Sequence, residues 1–163
     1  MEGSSQTKFN VSGVLLDRPF KIRRLGHFGF NVDDVETCLK FYGDLLGFSI
    51  SDPIDFGARI KDEKTRETLG PGIGYFMRHG SDHHSFVLFP KRVLEELGGR
   101  SGRKDVTINQ ITWQVGSLRE VTGAETWLRG LENPIRRSGR DTPGSNWHVY
   151  PFDPDEKDRK STR

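Results

Sequence analysis

Sulfur is nearly absent from this chain: its 163 residues include one cysteine, Cys38, and two methionines. A lone thiol excludes an intrachain disulfide framework and a Cys-rich zinc knuckle, and it fits a reducing, cytoplasmic setting. A dominant charge is missing too. The formal net charge is +2 with acids and bases interspersed, so no basic face of the kind that holds nucleic acid is present. No apolar run approaches the roughly 20 residues of a membrane span. The opening MEGSSQTKFNVSG lacks a basic region followed by an apolar stretch, so neither a membrane partner nor a secretion signal is expected. Residues 1–20 are read as an N-terminal arm. The glycine-rich pieces GPGIG and GGRSG lack the GxxxxGK(S/T) and strand-to-helix GxGxxG arrangements, and both are read as turns. The length suits one domain with a substantial core, or two small similar modules.

What the chain does concentrate is histidine. MRHGSDHHSF, residues 77–86, holds His79, His83 and His84, three of the five histidines. Such a cluster can be a metal site, a proton-transfer site or a polar loop, and the choice depends on its surroundings.

An internal repeat supplies them. IRRLGHFGFNV, residues 22–32, alternates like a strand, and DDVETCLKFYGDLLG then places Val35, Cys38, Leu39, Tyr42, Leu45 and Leu46 at helical spacing. Asp33 with Glu36 gives a capping pattern at the start of this helix, and Gly47 sits where a helix-ending glycine belongs. The same order returns in VTINQITWQV followed by SLREVTGAETWLRGL, with Ser117 and Glu120 as the capping pair. Strand candidates follow each helix: FSISD, GIGYFMRH and HHSFVLF after the first, PIRRSGRD and NWHVYPF after the second. A loop around residues 53–72 separates the first two. Each half thus reads as a β-α-β-β-β unit, module one at about 22–90 and module two at about 105–155. The linker, about 91–104, has a first part that can add a helical turn. With a period of about 83 residues, His27 and Gln110 are equivalent positions.

Two such units with a histidine on the first strand resemble the vicinal oxygen chelate superfamily, and the details resemble its extradiol ring-cleavage dioxygenase branch. The stretches that carry the resemblance are LGHFGFNVDDVETCLKFYGDLLGF, YFMRHGSDHHSFVLF, TINQITWQV and GRDTPGSNWHVYPFDPD. The resemblance implies an α+β fold of two paired βαβββ modules, one Fe(II) held by two histidines and a glutamate, and a catechol-type substrate with dioxygen. Mn(II) or another divalent metal is the alternative cofactor. By the resemblance, the first metal histidine falls on His27, the acid/base histidine on His84, and a hydrogen-bonding tyrosine on Tyr150. A histidine outside the metal's own ligands falls on Asp141. His79, His83 and His148 are candidate substrate contacts, His148 because it shares a strand face with Tyr150. His84 is preferred over His83 for proton transfer because neighbours on a strand face opposite sides. Imidazole suits the task, since its ordinary pKa lets it take and return a proton at neutral pH.

The sequence departs from that pattern twice. The second metal histidine falls on Gln110, which offers an amide oxygen; the related glyoxalase branch uses one as a ligand. The final strand, with its glutamate, is expected to be missing: DPDEKDRKSTR offers no apolar side chain, and Lys160 stands where the glutamate belongs. Residues 156–163 are therefore read as a charged tail, with Glu156 and Asp158 as replacement carboxylates. An unpaired strand edge would remain, favouring a homo-oligomer. The leading reading is an extradiol-type dioxygenase or an incomplete relative of one. The alternatives are a non-catalytic binding module like the bleomycin-resistance proteins, and a fragment that works as an assembly partner.

Overall fold

The computed structural model describes residues 7–98, 107–141 and 143–152, and the backbone of 158–162. Two compact units emerge, one of residues 27–111 and one of residues 1–26 with 112–163. Strands β3 (Arg24–Val32) and β7 (Ile108–Gln114) run through both.

The unit of residues 27–111 is built on β3, β4 (Ser49–Asp55), β5 (Ile73–Arg78), β6 (Phe86–Pro90) and β7, in the order β4-β5-β6-β3-β7. Alternation along β3 puts Phe28, Phe30 and Val32 against the core residues Met77, Phe86 and Leu88. His27, Gly29 and Asn31 are buried on the opposite face. Helix α1 (Val35–Leu39), which continues as a π-helical stretch to Leu45, brings Cys38, Leu39 and Tyr42 onto the same core. Its N-terminal cap is Asp34, one residue beyond the expected Asp33, because Asp34 is the residue whose side chain reaches the Thr37 amide. Gly47, at φ +77°, ends the element as expected. The loop expected around residues 53–72 contains helix α2 (Glu63–Leu69), capped by Asp62 through the Thr65 amide. Helix α3 (Lys91–Leu97) fills the first part of the linker and buries Val93 and Leu94 with Phe56, Ile60, Val87 and Phe89.

In the other unit, the expected arm forms a hairpin, β1 (Phe9–Val11) with β2 (Val14–Leu16). Helix α4 (Leu118–Gly130) is capped by Ser117 as read from sequence, and buries Val121 and Ala124 against Val115 and Val149. Phe20 meets the Trp127 ring edge-on at 5.9 Å. The strand order is β3-β7-β10-β9-β8, with β8 Ile135–Gly139, β9 His148–Pro151 and β10 Asp158–Thr162.

The presence of β10 corrects one expectation: module two has its last strand, and the segment read as a charged tail supplies it. Apolar content was the wrong criterion, because pairing of Ser161 with Val149 and Thr162 with His148 places the backbone in the ladder. Strand β9 is therefore paired on both sides, by β8 and β10, and the open-edge argument for self-association loses its basis.

Glu120 ties the segment before β3 to α4. It is 4% exposed, accepts from the Lys21 amide at 2.9 Å, and faces the Arg23 guanidinium at 3.4 Å. Burial pushes its pKa up, but the Lys21 and Gly116 amides and Arg23 outweigh it, and the carboxyl lies below its ordinary value of 4.5. A depressed folded-state pKa gives stability that is present above the unfolded value and is lost as pH falls through the folded one. Glu120→Gln should cost about 1–2 kcal/mol at neutral pH and flatten the loss of stability below pH 4.5, read by urea unfolding across pH.

Candidate functional site

Within residues 27–111, three polar side chains singled out by sequence come together. His27 is 6% exposed, and its Nε2 lies 3.0 Å from the amide nitrogen of Gln110 on β7. Gly29 makes this approach possible: a Cβ there would stand 2.5 Å from the Phe89 ring and 3.4 Å from Cγ of Gln110. The repeat-equivalent pair is thus a hydrogen-bonded pair, with the amide donating to the imidazole.

His84 is the third member. Its ring lies 4.2 Å from that of His27, tilted by 53°, and meets the edge of Phe76 at 4.7 Å. Its Nε2 is sealed from solvent. Strand β6 begins at Phe86, so His83 and His84 belong to the loop before it and not to the strand. The separation expected of them still arises, from the loop. His84 turns toward His27 and Phe76, while His83 is exposed and contacts Asp52, Nε2 to Oδ2 at 2.5 Å. The two rings meet through their Nδ1 atoms at 2.8 Å. His79, also exposed, lies edge-on to Phe48 at 5.3 Å.

The other unit holds a second cluster. His148 and Tyr150 are buried on β9 with ring centroids 4.9 Å apart, as their shared strand face requires. Arg137 on β8 lies 4.4 Å above the Tyr150 ring and hydrogen-bonds to Asp141, whose Oδ1 is 3.9 Å from Nε2 of His148. Burial disfavours the Arg137 charge, but Asp141 and Tyr150 outweigh that and hold its pKa above the ordinary value. Trp113 and Trp147 are exposed, the latter under the Arg140 guanidinium.

An Fe(II) oxygenase site needs two imidazoles and a carboxylate at one point. No group of three or more His, Cys, Asp or Glu side chains arranged for a metal occurs among the described residues. The one imidazole and one amide at the first-strand positions bond to each other. The described donors therefore do not fit the metal that the resemblance implies. Glu156 and the side chains of Asp158 and Lys160 lie outside the described residues.

Sequence reasoning missed Asp52, Ser51 and Phe76. No motif marks Ser51 and Asp52, because a β-bulge on β4, between the pairs Ile50 with Met77 and Asp52 with Phe76, sets their positions.

Comparison with known proteins agrees with the fold. Over 66 residues the chain is 37% identical to the 3-methylcatechol 2,3-dioxygenase of Pseudomonas putida, covering 39% of this chain and 19% of that protein. It is 33% identical over 90 residues to the biphenyl-2,3-diol 1,2-dioxygenase of Paraburkholderia xenovorans, covering 51% of this chain and 25% of that one. The matched segments thus take up a quarter or less of either curated relative. A solved catechol 2,3-dioxygenase superposes with a TM-score of 0.65 at 21% identity, over 90% of this chain and 44% of its own. The paired βαβββ units, their strand order and the histidine at the start of β3 find their common explanation in a family profile that matches residues 24–156: the chain belongs to the Glyoxalase/Bleomycin resistance protein/Dioxygenase superfamily.

Proposed function

We propose that the chain is an extradiol-type relative that acts on a catechol-type aromatic diol, with His84 as the group that takes and returns a diol proton. The observation that carries this reading is the His84 ring, held against His27 and Phe76 with its Nε2 sealed from bulk water. A catechol must lose a proton before its ring is opened, and a positioned imidazole accepts it at neutral pH. The Phe76 ring offers an aromatic surface beside that imidazole. Tyr150 in the other unit is proposed as a phenolic hydrogen-bond donor, with Asp141 and His148 supporting it. His79 and His83 are exposed and suit polar contacts at a rim.

Ring opening by dioxygen draws on a metal in such chemistry, and the described donors do not complete its ligand set. The test is a panel of catechols, 2,3-dihydroxybiphenyl among them, mixed anaerobically with the purified chain and excess Fe(II) or Mn(II), then exposed to air. A yellow ring-opened product supports the proposal. Diol binding without product across the panel supports the second reading, a non-catalytic binding module. The hydrogen bond between His27 and Gln110 favours that second reading, because it engages one of the two ring nitrogens with which His27 can hold a metal.

A further inference from the structure

The arm at the start of the chain packs on α4, and the two do not close completely. The side chains that α4 presents to it are Arg119, Thr122, Gly123, Thr126 and Trp127, one helical face at spacings of three and four. Facing them are Phe9 of β1 and Pro19. The groove between has a volume of about 380 Å³, within the range of small-molecule sites. Gly123 lets the arm come this near: a Cβ there would stand 3.2 Å from Cβ of Pro19.

The walls of this groove are apolar except at one point. Thr122 and Thr126 direct their hydroxyls to helix carbonyls, Thr122 to Leu118 and Arg119 and Thr126 to Thr122, all at 3.2 Å, which leaves their methyl groups to the groove. Phe9, Pro19 and the Trp127 ring complete the apolar lining. The exception is Arg119, the one charged residue there. Its guanidinium has no hydrogen-bond or ion-pair partner among the described residues. The adjacent carboxylate, Glu120, is buried and turned to Lys21 and Arg23 instead. The indole N–H of Trp127 also has no acceptor among the described residues, while its ring is held by Phe20. Trp127 follows Arg119 by eight positions, about 12 Å along the helix axis.

We propose that this groove is a binding site for a flat aromatic monocarboxylate, with the carboxylate on Arg119 and the rings against Trp127 and Phe9. Charge complementarity selects the sign of the ligand. A guanidinium without a partner offers paired N–H donors in the geometry of a carboxylate, and no acidic side chain lines the groove to compete. The apolar walls select its body, since aromatic rings bury their faces there without leaving a polar group unpaired. The site lies wholly in the unit of residues 1–26 and 112–163 and uses none of the residues assigned to diol chemistry, so it stands or falls apart from that reading.

Two-dimensional proton–nitrogen NMR of the full chain, with 2-naphthoate as the probe, tests this. Titration should move the amide signals of Thr122, Gly123 and Thr126 and the indole N–H of Trp127 to saturation, and the indole signals of Trp113 and Trp147 much less. 2-Naphthamide has the same rings and no charge, and should bind about ten-fold more weakly. Arg119→Gln should erase that difference, leaving acid and amide equally weak. Arg129→Gln, which removes the same charge from the same helix, should preserve it. Both arginines are exposed, so neither change threatens the fold. The absence of a saturable shift at these signals, equal affinity for acid and amide in the unaltered chain, or a preference that survives Arg119→Gln overturns the proposal. Shifts of the same signals with protein concentration and no probe would show a second copy of the chain in the groove, and would overturn it as well.

Discussion

On the proposed reading, replacing His84 by alanine should slow diol turnover by roughly the 10²- to 10⁴-fold that a general acid/base contributes. The loss falls on kcat if His84 acts on the bound diol, and on KM if it merely shapes the binding surface. His84→Gln separates chemistry from packing. It keeps most of the volume beside His27 and Phe76 and offers hydrogen bonds, but it cannot accept a proton at neutral pH. Both variants should therefore be comparably slow, and both should unfold at urea concentrations close to that of the unaltered chain. Lys40→Ala serves as the control. Its exposed ammonium pairs with Glu36, so turnover should stay within about two-fold, a surface change of small energetic weight. A His84→Ala chain that keeps its full rate removes the imidazole from the chemistry.

The second large effect concerns metal. Titrating Fe(II), Mn(II) or Zn(II) into the chain should reveal no sub-micromolar site. Such ions are held by imidazole nitrogens and a negative charge acting together. At the first-strand positions the chain offers one imidazole and one neutral amide, already hydrogen-bonded at 3.0 Å. Each tenfold in affinity is about 1.4 kcal/mol, so losing a nitrogen donor and a charge together amounts to several orders of magnitude. Gln110→His returns one imidazole to the strand position facing His27 and should tighten binding by about tenfold or more. A tight 1:1 site in the unaltered chain, abolished by His27→Ala, would show that donors outside the described residues complete the shell. Calorimetry distinguishes the two results.

Much of the fold was legible because local signals and long-range packing agree. The Ser117 cap and the apolar stripe of Val121 and Ala124 mark α4, and the alternation of Phe28, Phe30 and Val32 marks β3. His27 and Gln110, read as equivalent positions of the repeat, are two side chains that touch. What escaped notice follows from signals that act at a distance. Helix α2 occupies the segment read as a loop around residues 53–72, where no strong apolar stripe announces it. Strand β10 carries little apolar signal in DRKST, because pairing with β9 and not burial of apolar side chains marks it. The histidine pair was read onto β6 because HHSFVLF is continuous in β-forming residues, whereas the chain enters the ladder only at Phe86. Asp52 was invisible for a related reason: the bulge that aims it exists only in the pairing of β4 with β5. The likeness of the chain to diol dioxygenases was readable from contiguous motifs, while the partners of His84 were not.

The most direct test of diol deprotonation at His84 needs neither metal nor turnover. A nitro-substituted catechol, whose colour reports the ionisation of its ring hydroxyls, can be titrated anaerobically with the metal-free chain at a pH where the free diol is largely neutral. The account predicts that the bound ring takes the spectrum of its anion with the unaltered chain, and that with His84→Gln the ring binds but keeps the spectrum of the neutral diol. The same anion spectrum with both proteins, or no binding of the ring by the unaltered chain, would contradict it.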